Sequence, residues 1–226
     1  MSTNRAVLWD MDGTLIDSEE FHWTSWHLTL QDEGIALTRE QFLSTFGQRN
    51  DDIISQWLGP AAIPERAARI GESKEIMYRH LVRRDGITPL PGVADWVRRL
   101  HREGWRQAIA SSAPRANIET VLEVLSATHI FDAVVSSEDV HKGKPDPEVY
   151  LLAAERVGVA PAYCIVVEDA VAGIEAARAA GMRSIGVSHS GAPLPKADYV
   201  VRSLDLLDPN LFNTLLEEGS PVVANV

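Results

Sequence analysis

Two aspartates one residue apart, Asp10 and Asp12, follow the apolar run Ala6-Val7-Leu8-Trp9. On an extended chain such residues project to the same side, so one can act as a nucleophile while the other moves a proton. Gly13 behind them permits a sharp turn. Polar clusters stand after three later apolar runs as well: Ser111-Ser112, Lys144 within Lys142-Gly143-Lys144-Pro145-Asp146-Pro147, and Glu168-Asp169. Asp10, Glu168 and Asp169 offer the hard oxygen ligands that Mg²⁺ takes, and such an ion offsets repulsion between a carboxylate and a phosphate dianion. Lys144 and the Ser111 hydroxyl can hold non-bridging oxygens while charge shifts among them. The chemistry these types would do together is phosphoryl transfer. Any one acid alone reads as an ordinary turn or cap residue; it is their joint placement that carries the argument.

Those clusters need elements to hold them. Apolar runs at Gln107–Ala110, Ala133–Val135 and Ile165–Val167 read as strands, each followed by a stretch of helical period: Arg115–Leu125, Pro147–Val157 and Ala170–Ala180. Arg183–Val187 and Tyr199–Val201 supply two more strands. Strands alternating with helices predict an α/β fold, a Rossmann-like parallel sheet covered on both faces. In such sheets ligands bind beyond the carboxyl ends of the strands, where all four clusters fall.

Residues 17–87 break the rhythm. Glu19–Glu33 reads as a helix stopped by Gly34, Thr38-Arg39-Glu40-Gln41 has the form of a capping box, and Asp51–Leu58 and Glu65–Arg83 complete a four-helix insertion with Gly59-Pro60 between the last two. The turn-rich exit Gly86-Ile87-Thr88-Pro89-Leu90-Pro91-Gly92 separates it from the later strands. The expected organisation is a catalytic core of residues 1–16 and 88–226 with a helical cap domain of residues 17–87.

Composition limits the partners. The chain has 226 residues, 21 Lys plus Arg and 32 Asp plus Glu, for a formal charge of −11. That surface repels nucleic acid and anionic membranes. A single cysteine, Cys164 in an apolar run, excludes an intramolecular disulfide and reads as a buried structural thiol. The N-terminal apolar run is too short for a signal peptide or a span. A cytoplasmic monomer acting on a small phosphorylated metabolite is expected.

Asp10-Met11-Asp12-Gly13-Thr14, Ser111, Lys144 before Pro145, and Glu168-Asp169 together resemble the four motifs of the haloacid dehalogenase superfamily, in order, over essentially the whole chain. The resemblance implies Asp10 as the nucleophile of an aspartyl-phosphate and Asp12 as general acid and then base. It implies Mg²⁺ on the Asp10 side chain, the Asp12 backbone carbonyl and Asp169, with Glu168 in or next to the shell, and phosphate on Ser111 and Lys144. Dehalogenases and phosphonate hydrolases of the superfamily lack the second aspartate, and cation pumps carry Lys and Thr where this chain has Met11 and Asp12. Phosphate-ester hydrolysis or phosphoryl transfer between sugar positions remains.

The insertion is similar to the cap of the subgroup of β-phosphoglucomutases and small sugar-phosphate phosphatases. His22 and Trp26, one turn apart, match a His and a Trp of the mutase cap, where the His meets the acid/base Asp; Lys74 resembles a substrate-contacting lysine there. In Phe46-Gly47-Gln48-Arg49-Asn50-Asp51 the mutase's phosphate-clamping Arg falls at Asn50, with Arg49 one place early. Thr14 stands where mutases typically carry Val and hydrolases Thr. The expectation is therefore a phosphatase, with the mutase as alternative and Gln48, Arg49, Arg115 and Asn117 as further substrate candidates. A receiver-like regulator would order its acids differently, and a non-catalytic binding protein would not need every motif residue intact. His22, Trp26 and Lys74 also fit an apolar stripe or a solvated face; Trp57 and Trp96 read as packing, Asp146 as a helix cap, and Arg98, Arg99, Arg102 and Arg106 as a solvated run.

Overall fold

The computed structural model describes residues 5–59, 63–189 and 191–217, so Pro60 and the outer ends of the expected core lie outside the described residues. Six strands, β1 (Ala6–Trp9), β2 (Arg106–Ala110), β3 (Ala133–Val135), β4 (Cys164–Glu168), β5 (Arg183–Val187) and β6 (Tyr199–Val201), form one sheet in the order β3-β2-β1-β4-β5-β6. Every pairing is parallel. The strand order reverses direction at β1 and β4, which opens a crevice at their carboxyl ends.

Alternation along β1 shows how both faces are filled. Val7 and Trp9 enter a cluster with Trp96, Ile118 and Phe212, whereas Ala6 and Leu8 enter another with Tyr150, Ala153 and Ala176. Helices α5 (Val93–Arg102), α6 (Arg115–Val124) and α9 (Leu211–Glu217) cover the first face; α7 (Glu148–Val157) and α8 (Val171–Ala179) cover the second. The central strands are accordingly apolar throughout: Ile165, Val166 and Val167 of β4 are all fully buried, each gaining about 1.5–3 kcal/mol from transfer out of water. Cys164 is buried as read, and burial pushes its thiol up to about 12. Trp96 is buried in the first cluster, while Arg98 and Arg102 are exposed.

Between β1 and β2 come α1 (Glu19–Asp32), α2 (Arg39–Leu43), α3 (Asn50–Leu58) and α4 (Pro64–Asp85), packed around their own apolar cluster of Trp26, Leu30, Phe42, Ile53, Ile54 and Ile70. The capping box is present: the Gln41 N–H donates to Thr38 Oγ1 at 3.2 Å, and the Thr38 N–H donates to Gln41 Oε1 at 2.9 Å. The insertion leans on the core through α4 and α6, where Arg79 donates to Asn117 and Arg83 to Thr120, both at 2.9 Å. The helix expected from Pro147 begins at Glu148 with Pro147 at its N-cap; Asp146, expected to cap it, stands one residue earlier and accepts from the Glu148 N–H at 3.1 Å. The short α9 gave no distinct signal in sequence. No helix among the described residues is long and apolar enough to cross a membrane.

Candidate active site

The carboxyl ends of β1 and β4 bring two motifs into contact. The Asp10 N–H donates to Val167 O at 3.0 Å, extending the ladder one residue past β1, and the chain then turns sharply at Gly13 with φ +81°. A Cβ on Gly13 would lie 2.2 Å from Asp169 Oδ2, so the turn and Asp169 share space only because the residue is glycine. Thr14 holds the same acid, its Oγ1 donating to Asp169 Oδ1 at 3.2 Å. Behind Glu168, Gly173 of α8 leaves room for the carboxylate: a Cβ there would sit 1.7 Å from Glu168 Oε1.

Lys144 arrives from the loop after β3 and joins the two strands. Its Nζ donates to Asp10 Oδ1 at 2.5 Å and to Glu168 Oε1 at 2.8 Å. Tyr150, fully buried on α7, donates to that Glu168 oxygen at 3.2 Å, and its ring lies 5.0 Å from the Lys144 ammonium. The Ala170 N–H donates to Glu168 Oε2 at 2.6 Å. Ser111 stands at the end of β2, its Oγ accepting from the Ala113 N–H at 3.0 Å.

Oxygens of Asp10, Glu168 and Asp169 lie within 4.8 Å of one another. Burial raises the Asp10 pKa to about 7; Lys144 pulls it down and Glu168 pushes it up. Burial, then the charges of Glu168 and Asp10, push Asp169 well above the usual carboxylate range. These crowded, hard oxygens have the donor chemistry that a divalent, oxygen-loving cation takes, and Mg²⁺ fits it.

Asp12 faces the other way. Its Oδ1 accepts from Ser18 Oγ at 2.6 Å and lies 3.0 Å from His22 Nε2, on the first turn of α1. Lys74 Nζ of α4 lies 2.9 Å from His22 Nδ1. An ammonium has no acceptor, so Nδ1 carries the lone pair and Nε2–H donates to Asp12. Burial works to raise the Asp12 pKa, but His22, Ser18 and Lys74 outweigh it and hold the carboxyl below its ordinary value.

A cavity of about 670 Å³ lies over the strand ends, with Asp10, Asp12, Ser111, Lys144, Glu168 and Asp169 in its wall and Gln48 and Arg49 facing them from the insertion. It adjoins a smaller pocket of about 40 Å³ on the insertion side, lined by His22, Trp26, Asn50, Lys74 and Glu75; Asp12, Gln48 and Ser112 belong to both walls. Arg115 and Asn117 are in neither wall. Arg115 donates to Asp139 at 2.6 Å, and buried Asn117 holds Glu75 and Arg79. Ser18, Glu75 and Tyr150 were missed in sequence. Only the position of Tyr150, one turn into the helix that follows Lys144, was a signal for any of them.

A family profile for haloacid dehalogenase-like hydrolases matches residues 7–187. The chain belongs to the haloacid dehalogenase-like hydrolases. Among relatives of this chain, the β-phosphoglucomutase of Bacillus subtilis is 32% identical over 223 residues, 95% of this chain and 96% of that protein. The fructose-1-phosphate phosphatase YqaB of Escherichia coli is 36% identical over 186 residues, 80% of this chain and 95% of its own. A crystal structure of β-phosphoglucomutase from Clostridium difficile superposes with a TM-score of 0.85 at 27% identity, covering 95% of this chain and 97% of the other. The chain thus has a mutase and a phosphatase alike among its relatives, and the resemblance read from the four motifs holds.

Proposed function

We propose that this protein is a Mg²⁺-dependent phosphatase of small phosphomonoesters, sugar phosphates in particular, working through an aspartyl-phosphate on Asp10. The observation that carries the reading is the divergence of two neighbouring acids: Asp10 sits among Lys144, Glu168 and Asp169, whereas Asp12 is turned to His22 and Ser18 at the wall of the smaller pocket. In this reading one acid meets phosphorus and the other the leaving group.

The Asp10 carboxylate attacks phosphorus as the ester P–O bond breaks, with Lys144 and Ser111 on the non-bridging oxygens. The leaving oxygen takes its proton from Asp12. Asp12 then accepts a proton from water as the water attacks the acyl phosphate, which frees inorganic phosphate and restores Asp10. Asp12 is ionised in the free protein, so the arriving phosphate must raise its proton affinity by adding negative charge nearby. Asp10, the Asp12 carbonyl and Asp169 would hold Mg²⁺, with Glu168 adjacent. The ion supplies charge neutralisation between carboxylate and phosphate. In this reading residues 17–87 form a cap domain whose closure excludes water, with Gln48, Arg49, Trp26, His22 and Lys74 facing the substrate.

Asp10→Asn is expected to abolish Mg²⁺-dependent phosphate release from an aryl phosphate; wild-type-like turnover would sink the nucleophile assignment. The full-length similarity to a β-phosphoglucomutase favours a second reading, in which the phosphoryl group returns to the sugar. Assay of β-glucose 1-phosphate with its 1,6-bisphosphate decides between them. Rapid glucose 6-phosphate formation with little free phosphate would establish the mutase.

A further inference from the structure

Lys74 and Glu75 are consecutive on α4 and both buried, yet their charged ends meet at 2.8 Å. Glu75 is a hub. Its Oε1 also accepts from Asn50 Nδ2 at 2.6 Å, and Oε2 accepts from Asn117 of α6. Burial works to raise its pKa, but Lys74, His22 and Asn50 outweigh that, and the carboxyl stays ionised. A carboxylate offers about four acceptor sites and an ammonium three donors. Glu75 has three sites filled here and Lys74 has two donors engaged, one with Glu75 and one with His22. What remains is one acceptor and one donor side by side, the complement of a hydroxyl group.

The charges of the smaller pocket point the same way. Among its lining residues Lys74 is the single lysine or arginine, set against the two acids Asp12 and Glu75. Arg49 lines the larger cavity instead, near Val140 O and Asp51, and Arg115 is held by Asp139. A leaving group carrying a second phosphate would bring a dianion against Glu75 with no uncommitted cation among these lining residues to receive it, and the desolvation of both would go uncompensated. At about 40 Å³ the pocket takes one edge of a sugar, and a hydroxyl on that edge would find Gln48, Asn50, Lys74 and Glu75 as partners and Trp26 as an apolar wall.

We propose that Glu75 is a specificity-determining residue: by occupying Lys74 it makes the leaving-group pocket select an uncharged polyhydroxyl alcohol and reject one that bears a second phosphate. The proposal rests on the hydrolase reading and goes beyond it in naming what is excluded and by which residue.

The test compares the hexose monophosphate that wild type hydrolyses best in a phosphate-release panel with the corresponding hexose bisphosphate. On this proposal the phosphate of the bisphosphate that does not meet Asp10 enters this pocket. Wild type is expected to favour the monophosphate in kcat/KM. Glu75→Gln, which frees Lys74, should narrow that preference by about tenfold or more, the scale of one charge acting at several ångströms in a medium of effective dielectric about 20. The change should fall in KM for the bisphosphate. Adding Lys74→Gln should restore the preference. Because each ratio is taken on one protein sample, loss of folded fraction cancels. Calorimetric binding of the two esters to Asp10→Asn protein, with and without Glu75→Gln, gives the same comparison without turnover. An unchanged ratio in Glu75→Gln, or a wild type indifferent to the second phosphate, overturns the proposal. Failure to release phosphate from any ester, with the monophosphate still bound in preference to the bisphosphate, overturns the hydrolase reading while the selectivity stands.

Discussion

Asp12 depends on partners outside its own motif. Its hydrogen bonds come from Ser18 and His22, and His22 is in turn oriented by Lys74. If Asp12 serves first as acid and later as base, the two roles separate by leaving group. Asp12→Asn should lower turnover of a sugar phosphate by about 10²–10⁴, because an alkoxide needs a proton. An aryl phosphate needs none, so the same variant should release a stoichiometric burst of aryl alcohol and then stall; steady release without a burst would place the acid elsewhere. A smaller version of this asymmetry is expected for His22→Ala. The site's acids were legible in sequence because each follows an apolar run and falls at a strand end, where one ligand can meet them all. Glu75 was not, since its importance comes from Asn50 and Asn117, 25 and 42 residues away, converging on it. Arg115 and Asn117 looked available beside Ser111 because nothing in the sequence shows that Asp139 and Glu75 engage them.

At the scale of elements, the site is a product of close approach. α8 begins against Glu168, and Gly173 is what allows it: the Cβ position lies 1.7 Å from Glu168 Oε1 and 2.6 Å from its Cγ. Gly173→Ala should cost about 1–3 kcal/mol of unfolding free energy, read by urea denaturation, and should lower activity beyond the loss of folded protein because Glu168 anchors Lys144. A variant of unchanged stability would show that α8 shifts without penalty. The strands and longer helices were legible because their apolar periods are clear and Gly34, Gly59, Gly86 and Gly181 punctuate them. The short α9 was not, for its packing is decided by Phe212 meeting Trp9, Trp96 and Trp105, a contact between distant parts of the chain. Thr38-Arg39-Glu40-Gln41 did open a helix, but one of 5 residues, because the chain must turn back at Thr45.

For the whole molecule, the proposed function would set protons and metal in competition for one cluster. The folded-state pKa values of Asp10 and Asp169 are raised, so between the unfolded carboxylate range, about pH 4, and about pH 7 for Asp10 the metal-free fold binds protons that the unfolded chain has lost. This stabilisation is complete below the window and is lost as pH rises through it. Asp12 and Glu75, held low, lose theirs only as pH falls below their ordinary range. Binding of Mg²⁺ needs the ionised forms. The gap in Tm between Mg²⁺-loaded and chelated protein should therefore widen from about pH 5.5 to about pH 8; a constant gap would remove Asp10 from the metal site.

The central place of β1 has a consequence for assembly. It is the first strand of the chain, yet it lies between β2 and β4, so both neighbours must be synthesised before it is flanked. Lys144 is 134 residues beyond the Asp10 it touches. The helices of the insertion meet within one continuous stretch of chain, α1 with α4 and α3 with α4, whereas Asp10 waits for more distant chain to arrive. A nascent chain that stops short of β4 carries Asp10 without Glu168 and Asp169 beside it, so under the proposed function phosphoryl chemistry would begin only once the sheet has closed around its oldest strand.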